Sequence, residues 1–141
     1  LISGIGKAFK DSKSKAQIIG LIPSASPCMY LALNGENYEN QTADTIADGL
    51  SVRIPVMASV NRVKSIVDDV LMVDEKLLMK AMKSFIDYEN LLIEPSSAIT
   101  LAGLSEYREK FPENSKICLI ITGSLVDPAM VDSVMNSEGI I

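Results

Sequence analysis

Apolar segments of strand length alternate with amphipathic segments along this 141-residue chain, and that alternation constrains the fold more than any other feature. The predicted strands lie at residues 17–22, 70–73, 91–94 and 116–122. The predicted helices lie at residues 2–14, 28–34, 56–67, 74–86, 95–111 and 128–135. Strands that alternate with helices predict an α/β fold, with a parallel sheet and helices on both faces in three layers. The length allows one domain with a substantial core.

Three residues mark helix starts. Asp74 precedes a helix with a strong apolar face, and a carboxylate at that position can accept hydrogen bonds from free backbone N–H groups. Pro95 and Pro128 each stand at the predicted first turn of a helix, where the missing N–H of proline leaves no hydrogen bond unmade.

Charge and the lack of histidine exclude several classes of function. The chain has 13 Lys and Arg against 18 Asp and Glu, which gives a net charge of −5. No excess of basic residues is available to neutralise phosphates, so we expect no nucleic-acid partner and no anionic membrane partner. The chain has no histidine, the usual general base and the commonest metal ligand. Its chemistry must therefore depend on carboxylates, hydroxyls, backbone amides or a cofactor.

The two cysteines, Cys28 and Cys118, are too few for a disulfide framework or a zinc site. Cys118 lies within the apolar segment 116–122, so we expect its side chain to be a small buried hydrophobic group. Reduced thiols fit a cytoplasmic protein. No apolar segment reaches the ~18 residues that a transmembrane helix needs. A chain that starts at Leu1 rather than at Met indicates that the sequence begins within a longer protein.

Three segments could carry chemistry, because ligands of open α/β sheets bind beyond the carboxyl ends of the strands. Thr122-Gly123-Ser124 follows the strongest predicted strand. Its threonine offers a hydroxyl, and its glycine lets the backbone approach a ligand closely. An ordinary strand-to-loop turn would have the same sequence. The segment 45–49 ends in Asp-Gly, a common turn signal, and is therefore weak evidence.

Glu94 lies in the third segment, residues 94–98 (EPSSA), at a predicted junction of strand and helix. Either Ser96 or Ser97 could cap the helix, and an acid near the positive end of a helix needs no functional explanation. However, Glu94 follows the apolar residues 91–93, so we expect it near the core, where an ionised carboxylate requires partners.

Four segments in order resemble a known family. They are residues 1–5 (LISGI), 45–53 (TIADGLSVR), 93–98 (IEPSSA) and 122–124 (TGS). Together they are similar to the fold type II pyridoxal-phosphate enzymes of the tryptophan synthase β superfamily. The threonine dehydratase and serine racemase branch is nearest, and threonine synthase and cysteine synthase are more distant. The resemblance spans essentially the whole chain.

The resemblance implies that pyridoxal 5'-phosphate is the cofactor, and it implies five cofactor-binding residues. Leu1 would directly follow the glycine-rich loop that binds the cofactor phosphate. Thr122 matches the Ser or Thr that hydrogen-bonds the pyridine nitrogen, and Gly123 stands beside it. Glu94 and Gly49 match positions near the ring and near the substrate end of the site.

The same resemblance places the lysine that binds the cofactor covalently upstream of Leu1, so no catalytic residue is predicted within this chain. No metal site is expected either, because Ile22 and Cys28 stand where racemase-type cation sites have acids. Residues 1–141 are thus identified as the C-terminal part of a pyridoxal-phosphate-binding large domain.

The implied activity is that of an ammonia-lyase, which converts L-threonine or L-serine by β-elimination into a 2-oxo acid and ammonia. A hydroxyl at Thr122, in place of a carboxylate, would leave the ring nitrogen largely unprotonated and would suit elimination or replacement. A β-replacement enzyme stays open as an alternative, as does a non-catalytic remnant used for binding or assembly. The expected partners are a small amino-acid substrate and a second copy in a homodimer formed with the rest of the enzyme chain.

Overall fold

Two parallel strands form the centre of the computed structural model, which describes residues 1–140. Every residue of β1 (Ile19–Pro23) pairs with a residue of β2 (Asp69–Val73). Parallel neighbours need a crossover connection, and here the crossover contains α2 (Cys28–Asn34) and α3 (Met57–Lys64). The described residues therefore form an α/β domain with a two-stranded parallel sheet.

The other helices lie before, between and after these elements. They are α1 (Ile2–Asp11), α4 (Lys76–Glu89), α5 (Pro95–Glu106) and α6 (Pro128–Met135), with short 3₁₀ turns at Asp48–Leu50 and Arg108–Lys110. All six predicted helices are thus confirmed, with differences at their ends.

Left-handed residues explain where three helices stop. Gly35, at φ 74°, ends α2, and Asn90, at φ 55°, ends α4. Glycine and asparagine adopt this conformation with little strain, which makes them common after helices. Lys13 is also left-handed, at φ 57°, so α1 ends at Asp11 and not at the predicted residue 14.

The helix starts agree with the sequence-based prediction. The Asp74 carboxylate accepts a hydrogen bond from the Lys76 N–H at 2.9 Å, just as α4 begins. Pro95 and Pro128 stand in the first turn of α5 and α6. The Asp127 carboxylate accepts the Ala129 N–H at 2.8 Å and so caps α6.

Apolar side chains of the two strands pack into two separate clusters, so the strand pair lies between groups of helices. Leu21 and Val73 belong to the larger cluster, which includes side chains of α4, α5 and α6. Ile22 and Val70 belong to the smaller cluster, with side chains of α2 and α3. Alternate strand residues point to opposite faces, which accounts for this division. Gly103 brings α5 close to the sheet, because a Cβ built there would lie 2.8 Å from Leu21 Cδ1.

Two of the predicted strands are wrong. Residues 91–94 and 116–122 have no regular secondary structure, so the sheet of the described residues has two strands and not four. Apolar character identifies a segment that can form a strand, but a ladder also needs a neighbouring strand to supply hydrogen bonds.

The expectation that Cys118 is buried is also wrong, since the side chain is exposed, whereas Cys28 is fully buried. Cys118 lies in the segment 116–122, which joins no ladder within residues 1–140. A side chain of such a segment lacks the flanking strands and covering helices that would remove it from water.

No helix within residues 1–140 is long and apolar enough to cross a bilayer. No group of three or more Cys, Asp or Glu side chains there is placed to hold a metal ion.

Candidate functional site

The N-terminal turn of α5 meets the chain at Thr122 and Gly123, and we call Glu94, Ser97, Thr122 and Gly123 the Ser97 cluster. The Ser97 side chain is fully buried. Its Oγ accepts the backbone N–H of Thr122 at 3.0 Å and that of Gly123 at 2.9 Å. It also lies 3.2 Å from Thr122 Oγ1. One buried hydroxyl therefore holds two successive backbone amides, while Thr122 itself is exposed.

Glu94 joins the two sides of the Ser97 cluster. Its backbone N–H donates to the Gly123 carbonyl at 3.0 Å, and its carbonyl accepts the Ser97 N–H at 2.9 Å as α5 begins. A Cβ built on Gly123 would lie 2.3 Å from the carboxyl carbon of Glu94. Glycine at this position therefore lets the half-buried Glu94 carboxylate lie directly against the main chain of the turn.

Gly49 lies against the same end of α5. It belongs to the 3₁₀ turn Asp48–Leu50, and a Cβ built on it would lie 2.9 Å from Ser96 Oγ. The turn therefore packs closely on the residue just before Ser97. This arrangement places Gly49 next to the Ser97 cluster, although its backbone is not hydrogen-bonded to the cluster within the described residues.

Glu75 holds the segment that leads to this turn. Its Oε1 accepts the Thr45 hydroxyl at 2.8 Å and the Ile46 N–H at 2.6 Å. The Thr45 Oγ1 in turn accepts the Ala47 N–H at 3.0 Å. No local sequence pattern marks the role of Glu75, because its partners lie about thirty residues earlier in the chain.

Leu1 is placed differently from the other predicted cofactor residues. It is 78% exposed, and its carbonyl accepts the N–H groups of Gly4 and Ile5 within the first turn of α1. Within residues 1–140, no hydrogen bond joins Leu1 to the Ser97 cluster. The structure thus brings Thr122, Gly123 and Glu94 together, with Gly49 adjacent, and leaves Leu1 apart from them as the N-cap of α1.

Ser97 is the site residue that sequence analysis missed. The sequence predicts Ser96 or Ser97 as a helix cap, but the residue that caps α5 is Glu94, and it does so without a side-chain hydrogen bond. The Ser97 hydroxyl serves the turn at Thr122 instead. A usable signal was present in the sequence, since Ser97 stands beside apolar residues of α5, and a buried hydroxyl must find hydrogen-bond partners.

The chemistry of this arrangement defines a class of protein. An exposed threonine hydroxyl can donate or accept one directed hydrogen bond, and the carboxylate beside it can only accept. Both lie against the first turn of α5, where a helix has backbone N–H groups without a partner in the helix. The fold and the Ser97 cluster therefore define an α/β protein with a candidate ligand site built from a hydroxyl, a carboxylate and backbone amides.

Comparison with known proteins identifies the family within that class. The family model "Pyridoxal-phosphate dependent enzyme" matches residues 1–123 of this chain. The chain belongs to this family of fold type II enzymes, and its relatives within the family include threonine dehydratases and serine racemases.

Individual relatives support the same conclusion. An L-threonine ammonia-lyase from Geobacter sulfurreducens is 27% identical over 100% of this chain and 35% of its own length. The structure of processed threonine deaminase isoform 2 from Solanum lycopersicum aligns with a TM-score of 0.85, at 27% identity, over 95% of this chain and 40% of that one. The structure of maize serine racemase aligns with a TM-score of 0.80 at 31% identity, over 96% of this chain and 43% of that one. The chain thus spans less than half the length of these relatives.

The Ser97 cluster fits the ring of pyridoxal phosphate better than its phosphate. The hydroxyl of Thr122, an exposed residue, can donate a hydrogen bond to a pyridine nitrogen. The Glu94 carboxylate would repel a phosphate group placed beside it. The donor set therefore suits the nitrogen end of the ring.

Proposed function

We propose that this chain is part of a pyridoxal-phosphate-dependent ammonia-lyase that acts on L-threonine or L-serine. The reaction would be β-elimination, with a 2-oxo acid and ammonia as products. The observation that carries the proposal is the hydroxyl of the exposed residue Thr122, which lies 3.2 Å from Ser97 Oγ in the cluster that also contains Glu94 and Gly123. Two of the relatives described above, an L-threonine ammonia-lyase and a threonine deaminase, favour the same reaction.

When bound, pyridoxal phosphate would withdraw electrons from the α-carbon of an amino acid. Thr122 would hold the ring nitrogen by donating a hydrogen bond from Oγ1. A neutral hydroxyl cannot stabilise a positive charge on that nitrogen as a carboxylate would, so the withdrawal of electrons is moderated. A moderate withdrawal of electrons from the α-carbon suits a reaction in which the substrate loses its β-substituent.

Exposed apolar side chains support the part of the proposal that concerns the whole enzyme. In the segment 91–94, Leu91 is 50% exposed. In the segment 116–122, Ile117 is 42% and Ile120 is 39% exposed. Both segments have the apolar character of strands but join no sheet within residues 1–140. In the proposed enzyme these segments would be flanked by further strands of a three-layer large domain. The lysine and the phosphate-binding loop would precede Leu1, and the enzyme would form a homodimer.

The test is an assay of the complete gene product, purified with pyridoxal phosphate and supplied separately with L-threonine and L-serine. We expect a 2-oxo acid and ammonia in equal amounts, which a keto-acid assay and an ammonia assay would measure. A parallel reaction with a thiol acceptor would detect β-replacement. A protein that does not bind pyridoxal phosphate, or that releases neither product, would refute the proposal.

A pair of variants would connect the activity to the site. Thr122→Val keeps the side-chain shape but removes the hydroxyl, so we expect lower turnover with the fold retained. Ser115→Ala removes an exposed hydroxyl outside the candidate segments and serves as the control, with activity unchanged. Equal activity in both variants would contradict the role proposed for Thr122.

A further inference from the structure

The Ser97 hydroxyl has a fixed set of hydrogen-bond roles. A serine oxygen has two lone pairs for accepting and one hydrogen for donating. Both acceptor positions of Ser97 Oγ are used, because the N–H groups of Thr122 and Gly123 approach it at 3.0 and 2.9 Å. A backbone N–H can only donate, so these two roles cannot be reversed.

The hydrogen of Ser97 therefore has to be donated elsewhere. Thr122 Oγ1 lies 3.2 Å away, and on distance alone either oxygen could be the donor. Because Ser97 Oγ already accepts two hydrogen bonds, Ser97 is the donor and Thr122 Oγ1 the acceptor. The nearby Glu94 carboxylate, when ionised, has no hydrogen to give, so it cannot take over this role.

The direction of this hydrogen bond decides what Thr122 offers to a ligand. With one lone pair occupied by Ser97, Thr122 keeps its own hydrogen for a partner on its exposed side. Donation from Ser97 also polarises the Thr122 hydroxyl and makes it a stronger donor. A protonated ring nitrogen would require Thr122 to accept a second hydrogen bond and would leave its hydrogen without that partner.

We infer that Ser97 is a positioning residue, which orients the Thr122 hydroxyl as a donor and so selects an unprotonated ring nitrogen. The inference rests on the proposed function, since it needs pyridoxal phosphate at this site. It assigns Ser97 a role beyond capping or packing: the residue would set the protonation state of the bound ring through Thr122, without touching the ring.

The experiment uses the complete enzyme loaded with pyridoxal phosphate that carries nitrogen-15 in its ring. The chemical shift of a pyridine nitrogen differs strongly between its protonated and unprotonated forms. We expect the unprotonated shift at neutral pH in the natural protein and in the control Ser96→Ala. In Ser97→Ala we expect a change toward the protonated value, and Ser97→Thr, which keeps a hydroxyl, should restore the natural shift.

A second measurement needs no cofactor. Loss of the Ser97 oxygen should speed hydrogen exchange at the Thr122 and Gly123 amides on the order of tenfold, while Ser96→Ala leaves both rates unchanged. If Ser97→Ala is too unstable to load, Ser97→Cys takes its place, because a thiol is only a weak hydrogen-bond donor. Its ring shift should also change toward the protonated value.

The outcomes separate the inference from the proposed function. If the natural protein binds no labelled cofactor, the proposed function fails and the inference fails with it. If the cofactor binds and Ser97→Ala, or Ser97→Cys in its place, leaves the ring shift unchanged, only the inference is overturned. Unchanged amide exchange in Ser97→Ala would overturn it as well.

Discussion

Gly6 controls how closely α1 packs against the rest of the molecule, and replacing it with alanine should weaken that packing. Gly6 is buried, and a Cβ built on it would lie 2.1 Å from Ile66 Cγ2 and 3.6 Å from Ile18 Cγ2. Gly4 stands two residues earlier in the same helix, and a Cβ there would meet nothing within 4 Å. The two glycines therefore provide a matched pair for one substitution.

The size of the effect follows from two opposing contributions. Alanine in place of glycine stabilises a helix by up to ~1 kcal/mol, and Gly4→Ala should show this gain. In Gly6→Ala the new methyl group and Ile66 must separate by about 1.3 Å to reach ordinary contact at 3.4 Å. Ile66 is β-branched and stiff, so it cannot turn aside easily. Overpacking of this kind costs ~1–3 kcal/mol, which outweighs the helix gain.

Urea unfolding of the two variants tests this prediction. We expect Gly6→Ala to lower the free energy of unfolding by ~1–2 kcal/mol and Gly4→Ala to raise it slightly, by less than ~1 kcal/mol. Hydrogen exchange should also quicken across α1 in Gly6→Ala alone. If both variants are stabilised to the same extent, the packing of α1 through Gly6 is refuted.

Two further predictions concern other parts of the molecule. The Tyr107 hydroxyl donates to the Met72 carbonyl, and burial raises the pKa of Tyr107. The folded state thus keeps this proton to higher pH than the unfolded state, so the associated stability is complete below the ordinary tyrosine pKa and declines as pH rises through the raised pKa. Urea unfolding at a series of pH values from about 9 upward would measure how the free energy of unfolding falls with pH. We expect a smaller fall in Tyr107→Phe than in the natural protein, and an equal fall would contradict this explanation. Glu75→Ala should destabilise the protein by ~1–3 kcal/mol, because the Thr45 hydroxyl and the Ile46 N–H lose their acceptor. Glu75→Gln keeps an amide oxygen that can accept both, so a loss as large as that of Glu75→Ala in thermal unfolding would refute the explanation.

The helices were predictable from the sequence because their signals are local. Asp74, Pro95 and Pro128 each act within one turn of the helix that they begin. The end of α1 was missed, since nothing in the sequence marks Lys13 as left-handed. The strand pair was also found, as both strands are short apolar runs.

The errors in the strand prediction have a different origin. The segment 116–122 has the apolar character of a strand, but a ladder depends on a neighbour that is distant in the sequence. Burial of Cys118 was inferred from the same apolar run and failed for the same reason.

The candidate site could be predicted in part. Position at a segment end, together with the family resemblance, singled out Thr122, Gly123 and Glu94, which the structure brings together. The roles of Ser97 and Glu75 depend on contacts with residues 25 to 30 positions away. Hydrophobic periodicity and capping rules describe neighbours within a few residues, so they contain no information about such contacts.

The different burial of the two cysteines gives the protein a built-in chemical reporter. Cys118 is exposed in the segment 116–122, whereas Cys28 is fully buried. A thiol reagent should therefore modify Cys118 readily and reach Cys28 only when the protein opens. In the complete enzyme proposed above, protection of Cys118 from alkylation would measure directly whether other parts of the polypeptide cover that segment, without any substitution in the chain.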